Sequence, residues 1–133
     1  MDLEEKLQSK DTLMAALDIT FEQLTADKVV CKMPVGPKTK QPMGLLHGGA
    51  SVALAETAAS IAAMLNIDLN THAAVGIEIN ANHVRGKKDG VVTAVATPLH
   101  RGQRTMVWDV KIHDEEDRLI SVSRCTVAII ENK

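Results

Sequence analysis

An α+β domain, with one antiparallel sheet wrapped around a single long helix, is the fold class this sequence predicts. Two observations carry it. Ala50 to Leu65 holds seven alanines, several aliphatic residues and only one charge, Glu56, which marks a long apolar helix. Four strand-like segments joined by short polar turns follow it, and meandering strands of that kind pair antiparallel. A lone sheet beside a lone apolar helix must bury its inner face on that helix. At 133 residues the chain reads as one domain, 1–133, long enough to bury a real core.

The elements follow in order. Leu3, Leu7 and Met14, with Lys and Glu between them, predict an amphipathic helix over about residues 2–15. Two strands are expected next, from Leu17 to Leu24 and from Val29 to Pro34, with Ala26-Asp27-Lys28 as the hairpin turn. Gly36 to Pro42 is rich in Pro, Gly and Lys and reads as a loop. The long helix is expected to begin near His47 to Gly49 and to end near Asn66. The last four strands run over about Ala73 to Val84, Val91 to His100, Arg104 to His113 and Leu119 to Ile130. Alternation is clearest at Met106, Trp108, Val110 and Ile112, with Asp109 and Lys111 between them.

Composition excludes several classes. A net charge of −2, and only Phe21 and Trp108 as aromatics, give no basis for nucleic-acid binding. Glu56 interrupts the longest apolar run before it reaches membrane-spanning length. Met1-Asp2-Leu3-Glu4-Glu5 is acidic and unlike a signal peptide, so the chain reads as cytoplasmic. Cys31 and Cys125 lie far apart and read as buried thiols. No cluster has metal spacing and no glycine pattern marks a dinucleotide site, so neither metal nor cofactor is expected. His72 and His113 read as ordinary loop or strand-surface residues, and Glu78 as facing solvent.

The helix geometry is more specific. At 3.6 residues per turn, Leu54, Ala58, Ile61 and Leu65 share one face, suited to the sheet. Glu56 falls opposite, near Gly49, Val52, Ala53, Ala59, Ser60 and Ala63, on a face of small residues that lets another backbone approach. Ser60, one turn on, is within reach of the carboxylate or a shared water. Gly48 and Gly49 leave the first helix amides unshielded, and such amides have no intrahelical acceptor. With the macrodipole they form a site for an oxyanion, the requirement of acyl transfer. Gly48 and Glu56 are eight residues apart, roughly 12 Å along the axis. Both cannot touch one carbonyl from the same helix. A shared site needs a second, antiparallel subunit, and an isologous dimer makes two such sites.

These residues resemble the hotdog-fold thioesterases, in particular the branch related to 4-hydroxybenzoyl-CoA and phenylacetate-pathway thioesterases. The resemblance rests on Gln41-Pro42-Met43-Gly44-Leu45-Leu46-His47-Gly48-Gly49, then Glu56 and Ser60. It extends over about residues 15–131 through the strand order and the segments from Gly76 to Asn80 and Pro98 to Gly102. It implies a sheet curled around a long helix and a homodimer, often paired into a homotetramer. It implies Glu56 as nucleophile or general base and the Gly48 N–H as oxyanion donor. Gln41 would orient the acyl group or water, His47 would support the loop and thioester, and Ser60 would position the hydrolytic water. A glutamate at this position resembles the branch acting on aryl-CoA substrates, hydroxybenzoyl-like or dihydroxynaphthoyl-like.

The CoA phosphates need cations and N–H donors. His83 and Arg85, beside Lys87 and Lys88, form one basic corner; Arg101 and Gly102, between His100 and Arg104, form a second. Solvated turns are the alternative for both. Two other functions stay open at this point: an acyl-CoA-binding protein without turnover, and an acyl-thioester dehydratase using His47 with Glu56 as an acid–base pair.

Overall fold

The computed structural model describes residues 3–133. Nine elements follow in order: α1 (Leu3–Leu7), α2 (Leu13–Ala16), β1 (Thr20–Leu24), β2 (Val29–Pro34), α3 (Gly48–Met64), β3 (His72–His83), β4 (Val91–Arg101), β5 (Thr105–His113) and β6 (Leu119–Glu131). The six strands form one sheet in the order β1-β2-β4-β5-β6-β3, and each neighbouring pair is antiparallel. Helix α3 packs against β2, β3, β4, β5 and β6. Extra residues in β1, β3, β4 and β6 bend the strands, as bulges do, and let the sheet curl round the helix.

The core is built as the alternation requires. Met106, Trp108, Val110 and Ile112 point inward from β5 and are buried, as are Val29, Cys31 and Met33 from β2. Leu54, Ala58 and Ile61 meet them from α3, and Leu65 packs at the margin. Each fully buried Leu54, Val110 or Ile112 side chain contributes roughly 1.5–3 kcal/mol.

Three expectations need correction. The single helix over residues 2–15 is replaced by two short ones, with Asp2 outside the described residues. Thr12 breaks it: its extended backbone caps α2, and its hydroxyl accepts the Ala15 N–H at 3.1 Å. The first strand starts at Thr20 rather than Leu17, because Leu17 caps α2 and Asp18 turns the chain at φ 57°. Ala59 and Ala63 do not share the open face of Glu56; both are fully buried, because the curled sheet covers more than one side of the helix. The open stripe is Gly49, Val52, Ala53, Glu56 and Ser60.

Candidate active site

The helix start is held by the loop before it and by the turn between β3 and β4. Val35 donates to the Gly90 carbonyl at 2.8 Å, Leu46 donates to the Lys87 carbonyl at 2.8 Å, and His47 donates to the Thr39 carbonyl at 2.8 Å. Within the loop, Gln41 donates to Leu45 and Gly44 donates to Gln41, a tight tip that needs the positive φ of 84° at Gly44. The Gln41 side-chain oxygen accepts from the Met43 N–H, which fixes the side chain within the tip.

His47 caps α3. Its Nδ1 accepts the Gly49 N–H at 2.7 Å, and its carbonyl accepts from Ala50 and Ser51. A ring accepting at Nδ1 carries its proton on Nε2. The Gly48 N–H is the first of the helix and finds no acceptor among the described residues, so it remains free for a ligand oxygen. A Cβ at Gly48 would stand 3.0 Å from His83 Nε2, so the bare Cα admits the imidazole at the end of β3. Gly48, Gln41, Ser51, His83 and Arg85 line a cavity of about 340 Å³.

Glu56 opens elsewhere. It shares a cavity of about 820 Å³ with Ser60, Ile61 and Met64 of α3, Leu7 and Met14 of the N-terminal helices, and His72 of β3. Its carboxylate rests on the backbone of Gly76, where a Cβ would stand 3.0 Å from Oε2. Ser60 reaches the same cavity, although no hydrogen bond joins it to Glu56 among the described residues. The buried thiols are not nucleophiles. Burial pushes Cys31 up to about 12; burial first, then the charges of Glu56 and Glu78, push Cys125 up to about 11.

The remaining candidates divide. Arg85 and Lys88 are exposed beside the Gly48 cavity or its turn, whereas Lys87 is paired with Glu115. Arg101 lies at the other end of α3. It donates to Asp27 Oδ1 at 2.8 Å, to Asn66 Oδ1 at 3.2 Å and to the Ala26 carbonyl at 3.2 Å, tying the β1–β2 turn to the helix C-terminus. Gly102 donates to Thr105 in the β4–β5 turn. One chain therefore does not bring the two basic corners together. Glu78 is exposed, as expected, and accepts from Asn80.

Sequence reasoning missed His72. It lines the Glu56 cavity, with Nδ1 2.7 Å from the Thr71 hydroxyl. The one available signal was its place on β3, four residues before the glycine under Glu56. It also missed that Leu7 and Met14, read as a helix face, wall this cavity. Among the described residues no three His, Cys, Asp or Glu side chains are placed to hold a metal, and no helix is long and apolar enough to cross a membrane.

Comparison with known proteins agrees with this architecture. The family described as the thioesterase superfamily matches residues 43–121. A Bacillus subtilis (strain 168) protein carrying an esterase designation, ComA2, is 53% identical over 94% of this chain and 99% of its own length. The 1,4-dihydroxy-2-naphthoyl-CoA hydrolase of Escherichia coli (strain K12) is 49% identical over 89% of this chain and 86% of its own. The crystal structure of a mutant thioesterase from Pseudomonas aeruginosa superposes with a TM-score of 0.93 at 40% identity, covering 99% of this chain and 96% of that one. The chain therefore belongs to the thioesterase superfamily, as a hotdog-fold thioester hydrolase.

Proposed function

We propose that the protein hydrolyses the thioester of a CoA-linked aromatic acid in active sites shared between two subunits of a homodimer. The observation that carries this is the separation of the two half-sites. The free Gly48 N–H and Glu56 open into different cavities of one chain, on one helix, eight residues apart. A two-fold axis near Val52 would set Gly48 of each helix beside the partner's carboxylate. Val52 is the midpoint, and it lies on the open stripe with Gly49, Ala53 and Glu56. The sheet supports the same arrangement. β3 is an edge strand of 12 residues, with Val75 and Ile77 exposed at 43% and 59%, and such an edge is a template for a second strand.

In this reading the thioester carbonyl oxygen accepts from Gly48 N–H. Glu56 either attacks the carbonyl carbon, expelling CoA thiolate and leaving an anhydride that water opens, or takes a proton from the attacking water. The amide stabilises the oxyanion in both routes. Ser60 positions the water, Gln41 holds the tip and the acyl end, and His47 acts through the cap it provides. The cap occupies Nδ1, the one ring nitrogen able to accept a proton, and this favours hydrolysis over the dehydratase alternative, which needs the ring as a base. His83 and Arg85 border the Gly48 cavity and would meet the CoA moiety; Arg101 and Gly102 could do so only from the far end of the helix. The aromatic assignment rests on the apolar walls of the Glu56 cavity and on the dihydroxynaphthoyl-CoA hydrolases among the relatives. Free buried thiols suit a reducing, cytoplasmic setting, and pairing of dimers into a tetramer is part of the proposal.

A thiol-release assay across aryl- and fatty acyl-CoAs tests the reading. Aryl-CoA turnover that collapses in Glu56→Ala is expected, and undiminished release in that variant would sink the mechanism. Transfer of oxygen-18 from labelled water into the Glu56 carboxylate in a single turnover separates the anhydride route from the general-base route.

A further inference from the structure

Among the described residues, the one side-chain hydrogen bond between the loop that ends at Gly48 and α3 is the His47 cap. Both ends of that loop rest on the turn between β3 and β4. Val35, at the loop start, donates to the Gly90 carbonyl at 2.8 Å; Leu46, two residues before Gly48, donates to the Lys87 carbonyl at 2.8 Å. That turn is therefore one of the supports of the segment that leads to the free N–H.

The turn is itself braced by a residue outside both cavities. Glu115, in the β5–β6 turn, receives Lys87 Nζ on Oε1 and the Val91 N–H on Oε2 at 3.0 Å. Gly90 makes room for it: a Cβ there would overlap the Glu115 carboxylate, and the φ of 84° favours glycine as well. Lys87 is withdrawn from water, with its side chain 13% exposed. The turn carrying Glu115 is closed by its own hydrogen bonds. Asp114, with its side chain 1% exposed, accepts from the Glu116 and Arg118 backbones at 2.9 Å each and from Arg118 Nε at 2.7 Å.

We propose that Glu115, through Lys87, is a positioning residue for the oxyanion donor, bracing the turn on which the Gly48 loop is seated. The chain of contacts runs from the β5–β6 turn to Glu115, to Lys87, to Leu46 and so to the helix start. The inference rests on hydrolysis at Gly48 as proposed above, but the brace can be tested separately. Displacing a donor by about 1 Å can cost up to about 100-fold in rate, so a loosened brace should act on kcat.

In Glu115→Gln and Lys87→Met, kcat for aryl-CoA hydrolysis is expected to fall about tenfold with KM nearly unchanged. Lys87→Arg should retain most of the rate, because it keeps the cation. Hydrogen exchange of the Leu46 amide should quicken in both disruptive variants while β4 core amides keep their protection. Unchanged kcat and unchanged Leu46 exchange in Glu115→Gln would overturn the proposal. So would equal loss of protection at Leu46 and in the β4 core, which would mark general destabilisation. If the wild type itself released no thiol, hydrolysis would fail as a reading while Leu46 exchange still judged the brace.

Discussion

In the proposed mechanism Gly48 offers its unpaired N–H to the substrate oxygen, and a single substitution can remove that donor. The position is the first of the helix, where proline is tolerated, and His47 already has the extended backbone that precedes proline (φ −69°, ψ 130°). Gly48→Pro therefore deletes the N–H without breaking α3, although the His83 ring must shift. It should lower kcat by about 10²-fold or more while circular dichroism retains the helix, as expected when an oxyanion donor is lost. The cysteines give a second prediction. With thiols held near 12 and 11, neither Cys31 nor Cys125 should react with a disulfide reagent at pH 8 in the native protein, and both should react on unfolding. The place of Gly48 at the helix start and the open position of Glu56 were legible because both are written within one helix and its start. Arg101 was not, since its partners Asp27 and Asn66 are distant in sequence and only the fold brings them to it.

Among elements, α3 and the later strands could be read to within a residue or two, because alanine content and alternation are strong local signals. The N-terminal helix was read as continuous because Leu3, Leu7 and Met14 keep a loose helical spacing; the cap at Thr12 was the signal against it. The turn after β3 read as a basic corner for CoA phosphates, with a solvated turn as the alternative, and not as a partner of the turn after β5. Their mutual brace depends on an ion pair 28 residues apart, which no local pattern displays. That brace has an acid signature. Hydrogen bonds from Lys87 and then from backbone amides hold Glu115 at about 2, well below its ordinary 4.5. A carboxyl lowered on folding stabilises above its unfolded value and loses that effect as pH falls toward the folded one. Tm should therefore decline more steeply between pH 4.5 and 2 in the wild type than in Glu115→Gln, as followed by thermal scans. In the core, Leu54→Ala should cost about 2–5 kcal/mol in denaturant unfolding, because Leu54 is fully buried between α3 and the sheet.

For the whole molecule, the central claim is that one chain holds two halves of different sites. The exposed β3 edge should be where subunits meet, so Ile77→Lys should shift the mass in light scattering toward monomer and remove turnover with it. The most direct measurement is complementation between two inactive variants. Glu56→Ala lacks the carboxylate and Gly48→Pro lacks the donor, so neither homodimer contains an intact site. A mixed dimer, formed by unfolding and refolding the two together, carries one intact site made from the Glu56 of one subunit and the Gly48 of the other. Thiol release that reappears on co-refolding, reaching about a quarter of the wild-type rate with random pairing, is the result predicted. No recovery from mixtures that are shown to contain the mixed dimer would contradict shared sites.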